Sequence, residues 1–159
     1  MINKHGSVIK KLWSALLHLF FRASRGLTIG VRAVVLSEDG EFLLVRHTYA
    51  PGWHFPGGGV EPGETIEQAL KQELREETGL KLRGTPKFHG VFLNRSVSRH
   101  DHVFVYLCET QGSIPATPRS LEIAGLEFYS HDQLPADVDQ GTERRLLEIV
   151  KGQKPERDW

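Results

Sequence analysis

The sequence predicts an α+β domain in which strands and helices pack as a sandwich around one core. The chain has 159 residues, of which 39% are hydrophobic and 25% are charged, and these values are ordinary for one globular domain. Short runs rich in Val, Ile, Leu and Phe alternate with turn residues, as expected for strands. Two segments with helical periodicity lie among these runs, so helices must share the layers with a sheet.

The bulk composition excludes several classes of protein. Lys and Arg together number 20, as do Asp and Glu, so the formal net charge is zero. The chain therefore lacks the overall positive charge typical of proteins that bind long nucleic acids, and an anionic ligand must be held by a local site. Cys108 is the single cysteine, so no disulfide can form within the chain. We expect a buried, inert thiol and a reducing, cytoplasmic location.

The N-terminal segment predicts an amphipathic helix outside the main domain. Apolar side chains recur at helical spacing between residues 8 and 23, with basic residues at both ends. The apolar stretch is too short to span a bilayer comfortably, and no small-residue cleavage site follows it. We expect residues 1–26 to form a helical extension that packs on its own domain or on the second subunit of a homodimer. The alternative is peripheral contact with a membrane surface.

Strand-like runs account for most of the middle of the chain. Residues 27–36 and 41–47 predict two strands joined by a turn at Asp39-Gly40, a strong hairpin signal because Gly tolerates the positive φ of such turns. Residues 53–55 form a short apolar piece that ends at Pro56, and three further strands are predicted at residues 87–93, 102–108 and 126–129. Residues 94–101 form a polar, basic link, and residues 111–120 form a surface loop.

Two helices are predicted in the main domain. The first spans about residues 66–78, because Thr65 and Gln68 form a T-x-x-Q capping box and Gly79 stands where a helix-terminating glycine belongs. The second spans residues 142–150. These elements place the domain at residues 27–151 and leave residues 152–159 as a loose C-terminal tail.

Three glutamates of the first helix indicate a metal site. Glu73, Glu76 and Glu77 stand at i, i+3 and i+4, so they are neighbours, and a helical wheel places them on the side that faces the protein. Crowded, partly buried carboxylates repel one another and lose hydration, which is costly unless a cation compensates. Hard divalent ions, Mg²⁺ above all, prefer such oxygen ligands. The ordinary alternative is a solvated acidic face.

The loop before this helix is rich in glycine. Gly57, Gly58, Gly59 and Gly63 allow unusual dihedral angles and a close approach of the backbone to a ligand. Such loops often present N–H groups to phosphate, although the signal is weak alone. Together with three metal-facing carboxylates it predicts phosphoryl hydrolysis, which uses polarised phosphate oxygens and an activated water.

Residues 58–80, GGVEPGETIEQALKQELREETGL, resemble the Nudix box, G-x5-E-x7-R-E-U-x-E-E-x-G-U, where U is a bulky aliphatic residue. The positions in register are Gly58, Glu64, Glu73, Leu74, Glu76, Glu77, Gly79 and Leu80. The resemblance, extended to about residues 27–151, implies an α/β/α sandwich with a mixed β-sheet. It also implies hydrolysis of the pyrophosphate bond in a nucleoside diphosphate linked to another moiety, with Mg²⁺ or Mn²⁺ as cofactor.

The resemblance also implies roles for individual residues. It assigns metal binding to Glu73, Glu76 and Glu77 together with the Gly58 carbonyl, and a supporting role to Glu64. The general base differs between family members. Glu73 is the first candidate for this role in the present chain, and Glu76 is the second.

One position departs from the box, because Gln72 stands where the box has arginine. In the family that arginine orients the glutamates by charge-assisted hydrogen bonds, and glutamine brings no positive charge. We expect the departure to affect the rate more than the metal site. The main alternative is a Nudix domain that binds or senses a nucleotide with weak catalysis. Less favoured are a prenyl diphosphate isomerase, which needs an active-site cysteine, and an enzyme acting on short RNA 5′ ends.

Candidate substrate-binding residues lie beside the box and on later loops. They are Arg46, His47, Tyr49, Trp53, Arg95, Arg99, His102 and Glu122. Aromatic rings before the glycine loop are suited to stacking on a base, although Trp53 fits a core position equally well. Glu122, or else Asp101, is a candidate for an additional metal ligand or base. The sequence leaves the small-molecule substrate open among nucleoside triphosphates, nucleotide sugars and other diphosphate esters.

Overall fold

The strands and helices of the domain are defined in a computed structural model that describes residues 26–115 and 121–159. In chain order they are β1 (Thr28–Val35), β2 (Phe42–His47), β3 (Trp53–His54), α1 (Ile66–Thr78), β4 (Lys81–Leu93), β5 (Asp101–Gln111), β6 (Ile123–Tyr129) and α2 (Gln140–Lys151). The predicted N-terminal helix lies outside the described residues, as do the dimer and membrane contacts expected of it. Within the described ranges, neither helix is long and apolar enough to cross a membrane.

The strands form two three-stranded sheets. In the first, β5 lies between β1 and β4, parallel to β1 and antiparallel to β4. In the second, β2 lies between β3 and β6, and both pairings are antiparallel. The predicted α+β fold with a mixed sheet is confirmed.

Two apolar clusters cover opposite faces of the strands. Side chains alternate along β1, so that Val31 and Ala33 pack toward α1 while Val34 points to the other face. Leu74 of α1 belongs to the first cluster, and Leu146 of α2 belongs to the second. The sheets therefore lie between the two helices, as the sandwich predicts.

The turn at Asp39-Gly40 forms, but it does not join a regular hairpin. Gly40 has a φ of 79°, and its N–H donates to the Ser37 carbonyl at 3.0 Å. Only one isolated bridge, between Leu36 and Phe42, connects the flanking strands. Both strands bury side chains on two faces, so β1 joins one sheet and β2 the other.

Some strands begin earlier than the sequence predicts. β4 starts at Lys81, where an exposed stretch pairs with the end of β5 and carries no apolar pattern. The register also shifts between Arg83 and Lys87, so the sequence pattern does not show that residues 81–93 form one continuous strand. β6 likewise starts at Ile123, before the predicted run.

The C-terminal residues are packed, contrary to the expected loose tail. The Leu93 N–H donates to the Arg157 carbonyl at 2.9 Å, and the Trp159 N–H donates to the Leu93 carbonyl at 3.0 Å. Arg145 of α2 is fully buried and donates to the Asp158 carbonyl at 2.8 Å. The tail therefore adds a short extended segment beside β4. The sequence does not predict this packing, because the segment is polar and its contacts with Leu93 are made by backbone groups.

Candidate active site

The glycine loop is held against β1 by backbone hydrogen bonds. Val31 donates to the Gly58 carbonyl at 2.9 Å, and Val60 donates to the Ile29 carbonyl at 2.8 Å. Gly57 has a φ of 144°, and a Cβ atom there would lie 2.0 Å from the Val31 carbonyl oxygen. Only glycine allows this approach, so the sequence Gly57-Gly58 fixes the path of the loop.

The helix caps set which face of α1 meets the loop. The Thr65 hydroxyl accepts from the Gln68 N–H at 3.2 Å, and the Thr65 N–H donates to the Gln68 side chain at 2.9 Å. At the other end, Gly79 has a φ of 75° and donates to the Arg75 carbonyl at 3.0 Å. The predicted capping box and terminal glycine are confirmed. With Leu74 fully buried, they fix the rotation of the helix.

The three glutamates of α1 differ in exposure. Glu77 is buried, Glu73 is half-buried and Glu76 is exposed. The expectation that all three face the protein is wrong for Glu76, whose carboxylate lies 3.9 Å from the guanidinium of Arg75. Glu76 points about 100° away from Glu77, beyond Ala69 at the edge of the buried face.

Glu77 is tied to both the glycine loop and β2. Its Oε2 accepts from the Gly57 N–H at 2.7 Å, and its Oε1 lies 3.4 Å from Nε2 of His47. Burial raises the pKa of Glu77 to about 8, although the Gly57 hydrogen bond and the charge of Arg32 oppose the rise. Burial, with help from Arg32, lowers the pKa of His47 to about 4. Without metal, both groups are therefore neutral near pH 7, so their 3.4 Å contact is not an ion pair.

Glu73 lies directly against Gly58. A Cβ atom on Gly58 would stand 2.3 Å from Glu73 Oε1, so the carboxylate occupies space that only glycine leaves. Burial raises the pKa of Glu73, and the neighbouring Glu76 adds to the rise. Glu122 also raises the pKa of Glu73 and of Glu77, which brings this later residue into the acidic cluster.

We define the acidic cluster as Glu73, Glu76, Glu77 and Glu122. In the part of the chain that the structure describes, no three His, Cys, Asp or Glu side chains converge closely enough to hold a metal ion as they stand. The donor set nevertheless fits a hard divalent ion, because Glu73 and Glu77 are partly dehydrated and neighbouring carboxylates raise their pKa further. Glu73 and Glu77 would hold the ion, with the other two carboxylates as further ligands.

The structure separates the aromatic candidates. Trp53 is buried, and its ring packs edge-on against Tyr129 with centroids 5.2 Å apart, so of the two interpretations the structure favours the core position. Tyr49 is 70% exposed, and its ring lies 5.0 Å from that of His47. Electrostatic contact with Glu77, Glu122 and Glu73 helps to raise the pKa of Tyr49, after burial. Tyr49 therefore lies at the rim of the acidic cluster.

The arginine candidates have other partners. Arg46 forms a 2.9 Å ion pair with Asp137, and Arg95 forms a 3.1 Å ion pair with Asp158 near the C-terminus. Arg99 donates to the His100 ring at 3.2 Å. Asp101 accepts hydrogen bonds from Thr28 and Asn94, and the His102 ring lies 3.4 Å from the His100 carbonyl. In the described ranges, none of these contacts brings the basic link to the acidic cluster.

Gln72 and Glu64 line an open groove on the outer side of α1. The groove has a volume of about 780 Å³ and is also lined by Lys71, Arg75 and Lys81. Glu64 accepts from the Glu61 N–H at 3.2 Å and adds to the rise in the Glu73 pKa. Gln72 thus lies on the solvent side of the helix.

Arg32 is a site residue that sequence reasoning missed. It lies on β1, and its Nη1 donates to the Gly57 carbonyl. Its charge lowers the pKa of Glu73 and of Glu77, against the larger effect of burial. The available signal was a lone arginine inside the apolar run TIGVRAVV, whose register against the glycine loop only the structure supplies.

Comparison with known proteins identifies the family of the chain. Residues 26–148 match the NUDIX domain family. Over 128 residues the chain is 33% identical to a putative 8-oxo-dGTP diphosphatase of Bacillus subtilis, covering 79% of this chain and 81% of the relative. It is 34% identical over 103 residues to an RNA pyrophosphohydrolase of Coxiella burnetii, covering 60% and 45% of the two chains.

The fold has solved counterparts as well. The crystal structure of a MutT NUDIX hydrolase from Burkholderia pseudomallei superposes with a TM-score of 0.66 and 26% identity, covering 77% of this chain and 97% of that one. The chain therefore belongs to the Nudix hydrolase family, whose members generally use divalent metal ions. It is a hydrolase.

Proposed function

We propose that this hydrolase cleaves the pyrophosphate bond of a small nucleoside diphosphate derivative, with Mg²⁺ or Mn²⁺ as cofactor. One observation carries the proposal: Glu73 and Glu77 meet the glycine loop at Gly58 and Gly57, in a cluster whose burial and mutual repulsion call for a cation. A divalent ion bound there supplies polarisation of phosphate oxygens and a lowered pKa for water.

The protein side chains would then divide the remaining work. Glu77 is fixed at one oxygen by the Gly57 N–H and lies 3.4 Å from His47 at the other, so its role is to position the ion. Glu73 is half-buried with a raised pKa, which suits a general base that accepts a proton from the attacking water. Glu76, exposed at the edge of the cluster, is the second candidate for the base.

The rim of the site suggests how the nucleoside is held. Tyr49 presents an exposed ring beside the acidic cluster, and such a ring can stack on a base. The relatives named above, a putative 8-oxo-dGTP diphosphatase and an RNA pyrophosphohydrolase, favour nucleoside triphosphates and 5′-phosphorylated ends as first substrates to try. Burial raises the pKa of Cys108 to about 12, which supports an inert thiol. A single cysteine without a disulfide partner in the chain favours a reducing location such as the cytoplasm.

The test is phosphate release from a substrate panel with Mg²⁺ and with Mn²⁺. The panel contains nucleoside triphosphates, nucleotide sugars, ADP-ribose, dinucleoside polyphosphates and a short 5′-triphosphate RNA. The variants are Glu73→Gln and Glu77→Gln, with Glu67→Gln as the control because Glu67 is exposed on the same helix and lies outside the cluster. We expect activity in the native protein and the control, and loss of about 100-fold or more in the two cluster variants. Equal activity in all variants would refute the proposal.

The second candidate function is a nucleotide sensor with weak catalysis, and Gln72 is the observation that favours it. Glutamine there adds no charge beside the carboxylates, and Gln72 lies on the solvent side of α1. A sensor would show nucleotide-dependent thermal stabilisation without turnover. Under the favoured function, Gln72→Arg raises kcat. An unchanged or lower kcat in that variant would reject the link between Gln72 and the rate.

A further inference from the structure

The positive charge of Arg32 acts on the acidic cluster. Its charge lowers the pKa of both Glu73 and Glu77. It also acts on His47 and Tyr49, which places its guanidinium amid the residues that surround the site. A site made only of carboxylates would repel a phosphate anion, so a cation in this position is significant.

The guanidinium is anchored at one end and available at the other. Nη1 donates to the Gly57 carbonyl, while the N–H of the same glycine donates to Glu77 at 2.7 Å. Gly57 thus separates the arginine from the carboxylate and fixes their relative positions. Within the part of the chain that the structure describes, the Gly57 carbonyl is the one hydrogen-bond acceptor of Arg32. A guanidinium has five N–H donors, so a planar fork is left over.

The other arginines considered for this role are already engaged. Arg46 and Arg95 form ion pairs with Asp137 and Asp158 at 2.9 Å and 3.1 Å. Arg32 has no carboxylate partner of this kind in the described ranges, and it is half-buried, so that a ligand can reach it in a partly dehydrated setting. Guanidinium forks match phosphate oxygens in pairs, and the hydrogen bonds are charge-assisted.

We infer that Arg32 binds a phosphate group of the substrate, across Gly57 from the carboxylates that hold the metal ion. The inference rests on the proposed function and adds a substrate contact to it. In this arrangement Arg32 binds the phosphate and the carboxylates bind the metal ion. The Gly57 peptide lies between Arg32 and Glu77, so the guanidinium and the carboxylate do not form a direct ion pair. The substrate must therefore present an anionic phosphate at the edge of the metal site.

The experiment measures binding rather than turnover. The probe is α,β-methylene-ADP in Mg²⁺ buffer, titrated by calorimetry, with adenosine as the probe that lacks phosphate. The variants are Arg32→Gln, which keeps a donor for the Gly57 carbonyl, and Arg32→Lys, which keeps the charge without the fork. Arg83→Gln is the control, because Arg83 is an exposed arginine paired with Glu109 on the outer strands. Mn²⁺ binding without nucleotide is measured for each protein.

We expect Arg32→Gln to weaken binding of the methylene analogue by about 10- to 100-fold and Arg32→Lys to weaken it less. Adenosine binding should stay within about threefold, since it does not involve the fork. Mn²⁺ binding should change much less than analogue binding, because Arg32 acts on the carboxylates only through its charge. Unchanged analogue binding in Arg32→Gln, or no analogue binding by the native protein, would overturn the inference. Parallel loss of Mn²⁺ binding would also overturn it, because it would show a purely structural role. If the native protein binds the analogue through Arg32 but hydrolyses nothing in the panel, the proposed function fails and this inference stands.

Discussion

The N–H of Gly57 donates a 2.7 Å hydrogen bond to the carboxylate of Glu77, and this contact joins the glycine loop to the last turn of α1. The two halves of the sequence motif are therefore one unit in the fold. Gly57 is held in turn by its close approach to the Val31 carbonyl on β1. The position of the acidic helix relative to the sheet is set at this point.

Replacing Gly58 by alanine should disable the site with little loss of stability. The new Cβ would stand 2.3 Å from Glu73 Oε1, so the carboxylate must move, and misplacement by about 1 Å can cost about 100-fold in rate. Glu73 ends in a flexible, half-exposed group, so the melting temperature should change little. Gly59→Ala is the matched control, because a Cβ there meets nothing within 4 Å. Similar kinetics and Mn²⁺ affinity for the two variants would contradict the placement of Glu73.

The metal-free protein should lose stability as the pH rises from about 6.5 to about 8. The pKa of Glu77 is raised from 4.5 to about 8 in the folded state, so its contribution is full below 4.5 and is lost as the pH rises through 8. His47, whose pKa is lowered from 6.5 to about 4, contributes a rise in stability with pH, but only up to 6.5. Above pH 6.5 the titration of Glu77 lowers the stability, and the titration of His47 no longer offsets it.

Urea unfolding at a series of pH values measures this effect. Glu77→Gln should flatten the decline between pH 6.5 and 8, and Mg²⁺ should restore stability to the native protein because it replaces the proton. The same decline in the native protein and in Glu77→Gln would show that another group is responsible.

Truncation of Tyr49 should affect substrate binding, whereas truncation of Trp53 should affect stability. Tyr49→Ala removes a ring that is 70% exposed, so KM should rise with stability nearly unchanged. Trp53→Ala removes a buried ring and should lower the free energy of unfolding by about 3–5 kcal/mol. Steady-state kinetics with the best panel substrate and urea unfolding separate the two. A Tyr49→Ala variant with native KM would remove this residue from the substrate site.

The C-terminal segment should be part of the folded core. Arg145 is fully buried and donates to both carboxylate oxygens of Glu148 at 2.8 Å, and its guanidinium lies 4.0 Å from the ring centroid of Phe92. Arg145→Met leaves the buried Glu148 carboxylate with only His89 and the Glu156 N–H as partners, which costs about 3–5 kcal/mol. Arg83→Met, at an exposed ion pair, should cost at most about 1 kcal/mol. Equal losses in urea unfolding would mean that the buried network contributes no more than an exposed pair.

Local signals in the sequence predicted much of the fold. The capping box at Thr65 and Gln68 and the terminal Gly79 defined α1 correctly, because helix ends are specified by residues close in sequence. The start of β4 at Lys81 and the docking of Trp159 were missed, because both depend on partners distant in the chain. A polar strand stabilised mainly by backbone pairing leaves no apolar pattern to detect.

The candidate site divides in the same way. Helical spacing grouped Glu73 and Glu77 in advance, since their neighbourhood follows from one helix. The exposure of Glu76 depends on a rotation of a few tens of degrees that the sequence does not resolve. Arg32 and Glu122 reach the cluster only through sheet register and loop path, so neither could be ranked from spacing alone.

The most direct test of the central claim is a calorimetric titration of Mn²⁺ into the native protein, Glu77→Gln and Glu67→Gln at one pH. The account predicts specific binding in the native protein and in Glu67→Gln, and a loss of about tenfold or more in Glu77→Gln. Specific Mn²⁺ binding that survives unchanged in Glu77→Gln, or that is absent from the native protein, would contradict the claim that the acidic cluster beneath the glycine loop is the metal site.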